Sequence, residues 1–196
     1  MKVLLINARQ PVEGMSKGKL NTYIAATIRE HLASKGYEVR ITDIVNGYEV
    51  EQEVQKHLWA DIIITQSPVY WFGNPWTYKK YVEEVFNGGL LNPRMLANDG
   101  RTRSDPSKQY GTGGLMQGKK YMLSLTWNAP GAAFNDPGQY LFQGKSVDDV
   151  FVFNTANYRF CGVEVLPSFS CHDVLKDRVT EHDIGRLRSH LDTYIQ

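Results

Sequence analysis

Only two cysteines, Cys161 and Cys171, occur in 196 residues, too few for a disulfide framework in a chain of this length. No apolar run approaches the roughly 20 residues of a membrane-spanning helix. The N-terminal run Val3-Leu4-Leu5-Ile6 turns polar at Asn7, too short for the apolar centre of a signal peptide. A surplus of either charge is lacking too. The 22 basic and 21 acidic residues leave a net charge of +1, whereas a nucleic-acid binder needs a basic excess to offset phosphates. These absences predict a soluble, cytoplasmic protein with no nucleic-acid partner and no membrane insertion.

Several chemical signatures are missing as well. The dinucleotide fingerprint G-x-G-x-x-G is absent, as is the G-x-S-x-G elbow of a serine hydrolase. The stretch from Gly113 to Lys119 matches much of a triphosphate-binding loop. Lys120, however, stands where serine or threonine must hold magnesium, and a strand follows where a helix should. His31, His57, His172, His182 and His190 show no ligand spacing with the cysteines and fall mostly on predicted helix surfaces, so no metal site is expected. A phosphoacceptor receiver domain would want paired acids after its first strand, where this chain has Asn7-Ala8-Arg9.

What is present is an alternation of strands and helices. Val3 to Ile6 is continuously apolar, as in a strand buried on both faces. Leu20, Ile24, Ile28 and Leu32 draw one helical stripe that Gly36 ends. Val39 and Ile41 alternate with polar neighbours between Tyr37 and Thr42, an edge-strand pattern. A short helix carries Val54, Leu58 and Trp59, and Ile62-Ile63-Ile64 gives a second buried strand. Asn74 as cap and Pro75 as first residue predict a helix through Tyr78, Val82 and Phe86, stopping at Gly88-Gly89. Beyond a long segment containing Gly, Ser and Arg, Tyr121 to Thr126 reads as a strand. Ser146 and Asp149 form a capping box for a helix to about Phe160, and Val163 to Phe169 is the last strand. Thr180 with Asp183 caps a final helix. Five strands alternating with five helices imply one α/β domain over residues 1–196. Its expected form is a doubly wound, five-stranded parallel sheet of order 2-1-3-4-5. In that order the loops after Ile6, Thr65 and Thr126 converge on a crevice at the carboxyl ends of the strands.

Each of these loops carries a candidate site. The first, from Asn7 to Asn21, holds Gly14, Ser16, Lys17, Gly18 and Lys19 ahead of a helix. Free backbone N–H groups and the positive helix end suit a phosphate there, with Ser16 donating its hydroxyl and Lys17 or Lys19 adding charge. A polar loop with an N-cap serine would read the same way. The second bunches Tyr70, Trp71, Phe72 and Trp76 between Pro68 and the helix start. Such a cluster suits stacking on isoalloxazine, nicotinamide or quinone. Tyr70 and Trp71 are the favoured ligand residues, while Trp76 and Phe72 are expected in the core. The third, Thr126-Trp127-Asn128-Ala129-Pro130, is expected to turn its backbone N–H groups to the same crevice, where they would steady charge on a reduced flavin.

The pattern Pro68-x-x-Trp71-x-x-x-Pro75-x-x-x-Lys79, continued to Phe86, resembles the signature of the flavodoxin-like quinone reductases. Three further segments, Gly100 to Lys108, Tyr110 to Leu115 and Gly118 to Pro130, are similar to the bacterial modulator of drug activity B type of NAD(P)H:quinone oxidoreductase, and the resemblance covers nearly the whole chain. It implies a flavodoxin-like fold, a homodimer, one FAD per subunit, NAD(P)H as co-substrate and a quinone as acceptor. Hydride would pass from NAD(P)H to flavin and then to the quinone in ping-pong order. Carried onto this chain, the family's FAD contacts fall first on Ser16, Lys17, Gly18, Lys19, Leu20, Asn21, Thr22 and Tyr23. The others fall on Pro68, Val69, Tyr70 and Trp71, on Tyr110, and on Thr126, Trp127, Asn128 and Ala129. Tyr110 is also the candidate catalytic residue, donating to a flavin or quinone oxygen. Val69 stands where the enterobacterial form has glycine, and the stretch around Leu91-Asn92-Pro93 is longer, in the region expected as a lid. Three alternatives stay open: an FMN-dependent azo- or nitroreductase, a flavodoxin-type electron carrier and a flavin-free structural or regulatory protein. The net charge of +1 opposes the carrier, which would be strongly acidic.

Overall fold

The computed structural model describes residues 1–14, 16–177 and 179–196. Strand β1 (Lys2–Asn7) is buried from Val3 onward, so it takes a central place with both faces covered. It pairs in parallel with β2 (Glu38–Asp43) on one side and β3 (Ile62–Pro68) on the other. β3 pairs with β4 (Lys120–Thr126), and β4 with β5 (Glu164–Val165) and β6 (Phe169–Cys171). The order β2-β1-β3-β4-β5 is the one expected for a doubly wound sheet. Helices α1 (Lys19–Ser34) and α6 (Glu181–Tyr194) cover the face bearing Val3, Leu5, Ile62 and Ile64. Helices α2 (Val50–Trp59), α3 (Trp76–Leu91) and α5 (Val152–Phe160) cover the face bearing Leu4, Ile6, Ile63 and Leu123. Among the described residues, no helix is long and apolar enough to cross a membrane.

Four expectations need correction. The last strand is two: Leu166 still donates to Tyr121 O, but Pro167 has no N–H for the ladder, and pairing resumes only at Phe169 opposite Ser124. The helix opened by the Ser146–Asp149 capping box breaks after α4 (Val147–Val150), because Phe151 leaves helical geometry (φ −97°, ψ 12°) as its ring enters the core. At α3, Pro75 takes the cap position and Asn74 makes no capping bond. The helix also passes through Gly88-Gly89, since both glycines are packing contacts; a Cβ on Gly88 would lie 2.7 Å from Val50 Cγ1. Finally, His57 is fully buried rather than on a helix surface, its Nδ1 on Glu53 O at 2.8 Å.

Candidate functional site

Three loops meet at the carboxyl ends of β1, β3 and β4. The loop after β1 folds on itself through hydrogen bonds between Val12 and Ser16, and the Gly18 N–H donates to Ser16 Oγ at 3.2 Å. Gly18, at φ 70°, occupies the cap position of α1 with no side-chain cap. The N–H groups of Lys19, Leu20 and Asn21 therefore have no acceptor among the described residues, and a helix end left in this state is a ready anion site. Lys17, Lys19, Thr22 and Tyr23 are exposed around it. Arg9 braces the loop from behind: its stem runs beneath Gly18 and its Nε donates to Asp43 at 2.8 Å.

The loop after β3 is tied to both neighbours. Val69 N–H donates to Thr126 O at 3.0 Å, and Tyr70 O–H to Gln10 O at 2.9 Å. Tyr70 and Gly73 exchange backbone hydrogen bonds of 2.8 and 3.1 Å, closing a two-residue turn with Trp71 (φ 49°) and Phe72 (φ 67°) at its centre. That primed geometry normally selects Asn-Gly, and a bulky residue held there stores of order 1–3 kcal/mol. The Trp71 ring is nonetheless 95% exposed. Phe72 is half-exposed, with its edge on Phe142, so it is only partly core. Trp76, expected in the core, is 70% exposed, because Tyr78, Tyr81, Val82 and Val85 set the inward face of α3. Beside Gln10 opens a cleft of about 410 Å³ lined by Ile44, Val45, Tyr48, Thr77 and Lys80.

In the third loop the Trp127 ring is buried among Phe134, Phe142 and Phe151. The Trp127 backbone N–H donates to Cys171 O at 2.8 Å, so it is not turned to the crevice as expected; the pairing with β6 takes it. The N–H groups of Asn128 and Ala129 have no acceptor among the described residues and remain the available donors.

The sequence reading named Asn21 as a cofactor contact but missed the rest of the polar floor below these loops. Asn7, Asn21, Gln66 and Ser124 are all buried. The Asn21 amide is spent inside this floor, on Asn7 and Gln66, so what Asn21 offers the crevice is its backbone N–H. The available signal was a run of polar letters, Thr65, Gln66 and Ser67, in a strand that opens with three isoleucines. The two thiols play no part: burial pushes Cys161 up to about 12 and Cys171 up to about 11.

Tyr110 is not brought to the other candidates within one chain. Its exposed ring lies against Phe160 at the last turn of α5, centroids 5.2 Å apart, with the Arg101 guanidinium 5.2 Å from its centre. The first turn of α5 is at the crevice, where Phe153 Cζ stands 3.6 Å from the Cβ position of Gly73. The nine residues of α5, about 13 Å of helix, separate the two ends. The 91–117 stretch runs past the amino ends of the strands, with Met116 N–H on Cys161 O, and is no lid over its own chain's loops.

A family model for the flavodoxin-like fold matches residues 1–195. The NADPH:quinone oxidoreductase MdaB of Haemophilus influenzae is 41% identical over 192 residues, 98% of each chain. A solved structure of a candidate quinone reductase from Klebsiella pneumoniae aligns with a TM-score of 0.72 at 22% identity, covering 98% of this chain and 83% of that one. General stress protein 14 of Treponema denticola, solved in complex with FMN, aligns with a TM-score of 0.59 at 17% identity, covering 98% and 93%. The two structures, distant in sequence, speak for the fold alone. With the family model spanning all but the last residue, the chain belongs to the flavodoxin-like fold family.

Proposed function

We propose that the chain is an NAD(P)H:quinone oxidoreductase that binds FAD and reduces quinones by two electrons in ping-pong order. The observation that carries this reading is the convergence of three different donor sets on one crevice. The uncapped end of α1 suits a phosphate, the exposed Trp71 beside half-buried Tyr70 suits a flat ring, and the N–H groups of Asn128 and Ala129 suit a polar ring edge. Phosphate and ring together fit a flavin nucleotide, and the likeness to the NADPH:quinone oxidoreductase MdaB supports NAD(P)H and a quinone as co-substrates. Flavin supplies hydride acceptance and donation, while the protein holds, orients and shields. Lys17 and Lys19 add charge beside the helix end, Trp71 covers one ring face, and Asn128 and Ala129 stabilise negative charge at the ring edge.

Tyr110 enters through a homodimer. Phe72 and Trp76 form an exposed apolar surface beside the ring site, and Leu90, Leu91, Tyr110 and Leu115 supply exposed apolar side chains in α3's last turn and the segment after it. Exposed apolar surface of this kind marks an interface, and a two-fold pairing lets one copy's Tyr110 reach the other's ring site.

Absorbance spectroscopy tests the reading. Purified protein shows a flavin spectrum that NADPH bleaches and a soluble quinone restores, and the extracted flavin runs with an FAD standard. FMN in the extract overturns the FAD assignment, and a colourless protein that takes up neither flavin overturns the whole reading.

A further inference from the structure

We infer that Gln66 is a positioning residue that holds the phosphate-binding end of α1 at a fixed distance and angle from the ring-binding loops. The inference rests on the flavin reading above. Gln66 is completely buried at the carboxyl end of β3. Its side-chain Nε2 donates to Asn21 Oδ1 at 2.8 Å, and its backbone oxygen accepts from Asn21 Nδ2 at 3.2 Å. Two bonds between the same pair fix rotation as well as separation. Asn21 lies in the first turn of α1, among the N–H groups left without acceptors. The same backbone oxygen accepts from Ala8 N–H at 2.8 Å, at the base of the loop after β1. Gln66 Oε1 accepts from Ser124 Oγ at 2.5 Å, two residues before the third loop begins. One residue is thus bonded to the base of every element that builds the site.

An apolar residue would fill this place in the sheet without needing partners. Filling alone therefore does not account for an amide here with each of its ends engaged by a different element. What the amide adds is direction: planar donors and acceptors lock α1 against β3 and β4, where apolar packing would let the helix slide. A ligand that spans two subsites gains from that lock, because the second contact is made at the effective concentration set by the first.

The test compares a ligand that spans with one that does not. FAD, FMN and riboflavin, the last lacking phosphate, are titrated into flavin-free wild type and Gln66→Met, with circular dichroism and thermal unfolding as fold controls. The expected result is a loss of about 10- to 100-fold in affinity for the phosphate-bearing flavin that the wild type prefers, with riboflavin affinity changed by less than about threefold. A parallel loss for riboflavin, or no loss for either, overturns the inference and leaves Gln66 as core filling. Ser124→Ala removes one of the bonds with little change in bulk and carries the same comparison if Gln66→Met does not fold; the ratio must move the same way. Wild type that binds none of the three flavins overturns the functional reading and this inference with it, an outcome distinct from a variant that behaves like wild type.

Discussion

Trp71→Asn should make the protein more stable and less able to bind its ligands. Trp71 sits at φ 49°, where a bulky L residue is held at a cost of order 1–3 kcal/mol. Asparagine visits this region readily. Since the indole is 95% exposed, removing it forfeits little burial. The net change is a gain of about 1 kcal/mol, which for a chain of this size raises the melting temperature by about 2–4 °C. Surface replacements away from such strain usually stay within about 0.5 kcal/mol, so the shift is readable. Loss of the ring removes stacking of about 0.5–1.5 kcal/mol, or about a 2- to 12-fold weakening of flavin or quinone binding.

The assay needs two arms. Melting is measured on flavin-free protein, because a bound ligand adds stability by mass action and would mask the gain. Flavin content and quinone KM are measured on the loaded protein. Phe72→Asn is the control: it relieves a similar backbone cost at φ 67°, but it also loses a half-buried ring and its contact with Phe142, so its stability should change little. If Trp71→Asn melts at or below wild type, the strain account is wrong. If binding and turnover stay at wild-type values, the stacking role is wrong.

Three further outcomes follow from the same geometry. Burial pulls the His57 pKa down to about 4 from 6.5, so the unfolded chain takes up a proton that the folded one refuses. Stability should fall by about 3 kcal/mol as pH drops from about 6.5 to about 4. His57→Phe, set among Tyr81, Phe86 and Tyr158, should flatten that slope in urea titrations, and parallel slopes would refute it. Gly114→Ala drives a methyl into the backbone of Cys161 and Gly162 and should cost about 3 kcal/mol or more; an unchanged urea midpoint would show that the 91–117 stretch is not anchored there. If Tyr110 acts across the two-fold, a reassorted equimolar mixture of Trp71→Ala and Tyr110→Ala chains should be more active than the mean of its two parents, because each mixed dimer keeps one of its two sites intact. Activity no higher than the mean of the two parents would place Tyr110 outside the partner's site.

The sheet order was legible because its signals are local. Val3 to Ile6 and Ile62 to Ile64 are continuous apolar runs, and the boxes at Ser146 and Thr180 need only four residues each. The aromatic loop was legible as a cluster but not as a turn, since primed geometry is announced by Asn and Gly and here holds Trp71 and Phe72. The fate of the Trp127 N–H depends on β6, which lies more than forty residues on, and the place of Tyr110 on the course of a segment without regular structure. No local rule reaches either one.

What was missed and what was found divide along a physical line. The floor of the site, Asn7, Asn21, Gln66 and Ser124, is buried and bonded throughout, so it is stiff and resembles core in any composition count. The roof, Trp71 above all, is exposed and strained, and its oddness shows in the sequence. On the proposed ping-pong reading, in which two different partners reach one ring in turn, both properties are needed. The phosphate must stay fixed through the cycle, which a satisfied buried network achieves. The ring face must be covered and uncovered, which suits an exposed side chain such as Trp71 on a turn whose base is held. Stiffening the roof should therefore slow exchange of the two substrates, whereas loosening the floor should release the flavin.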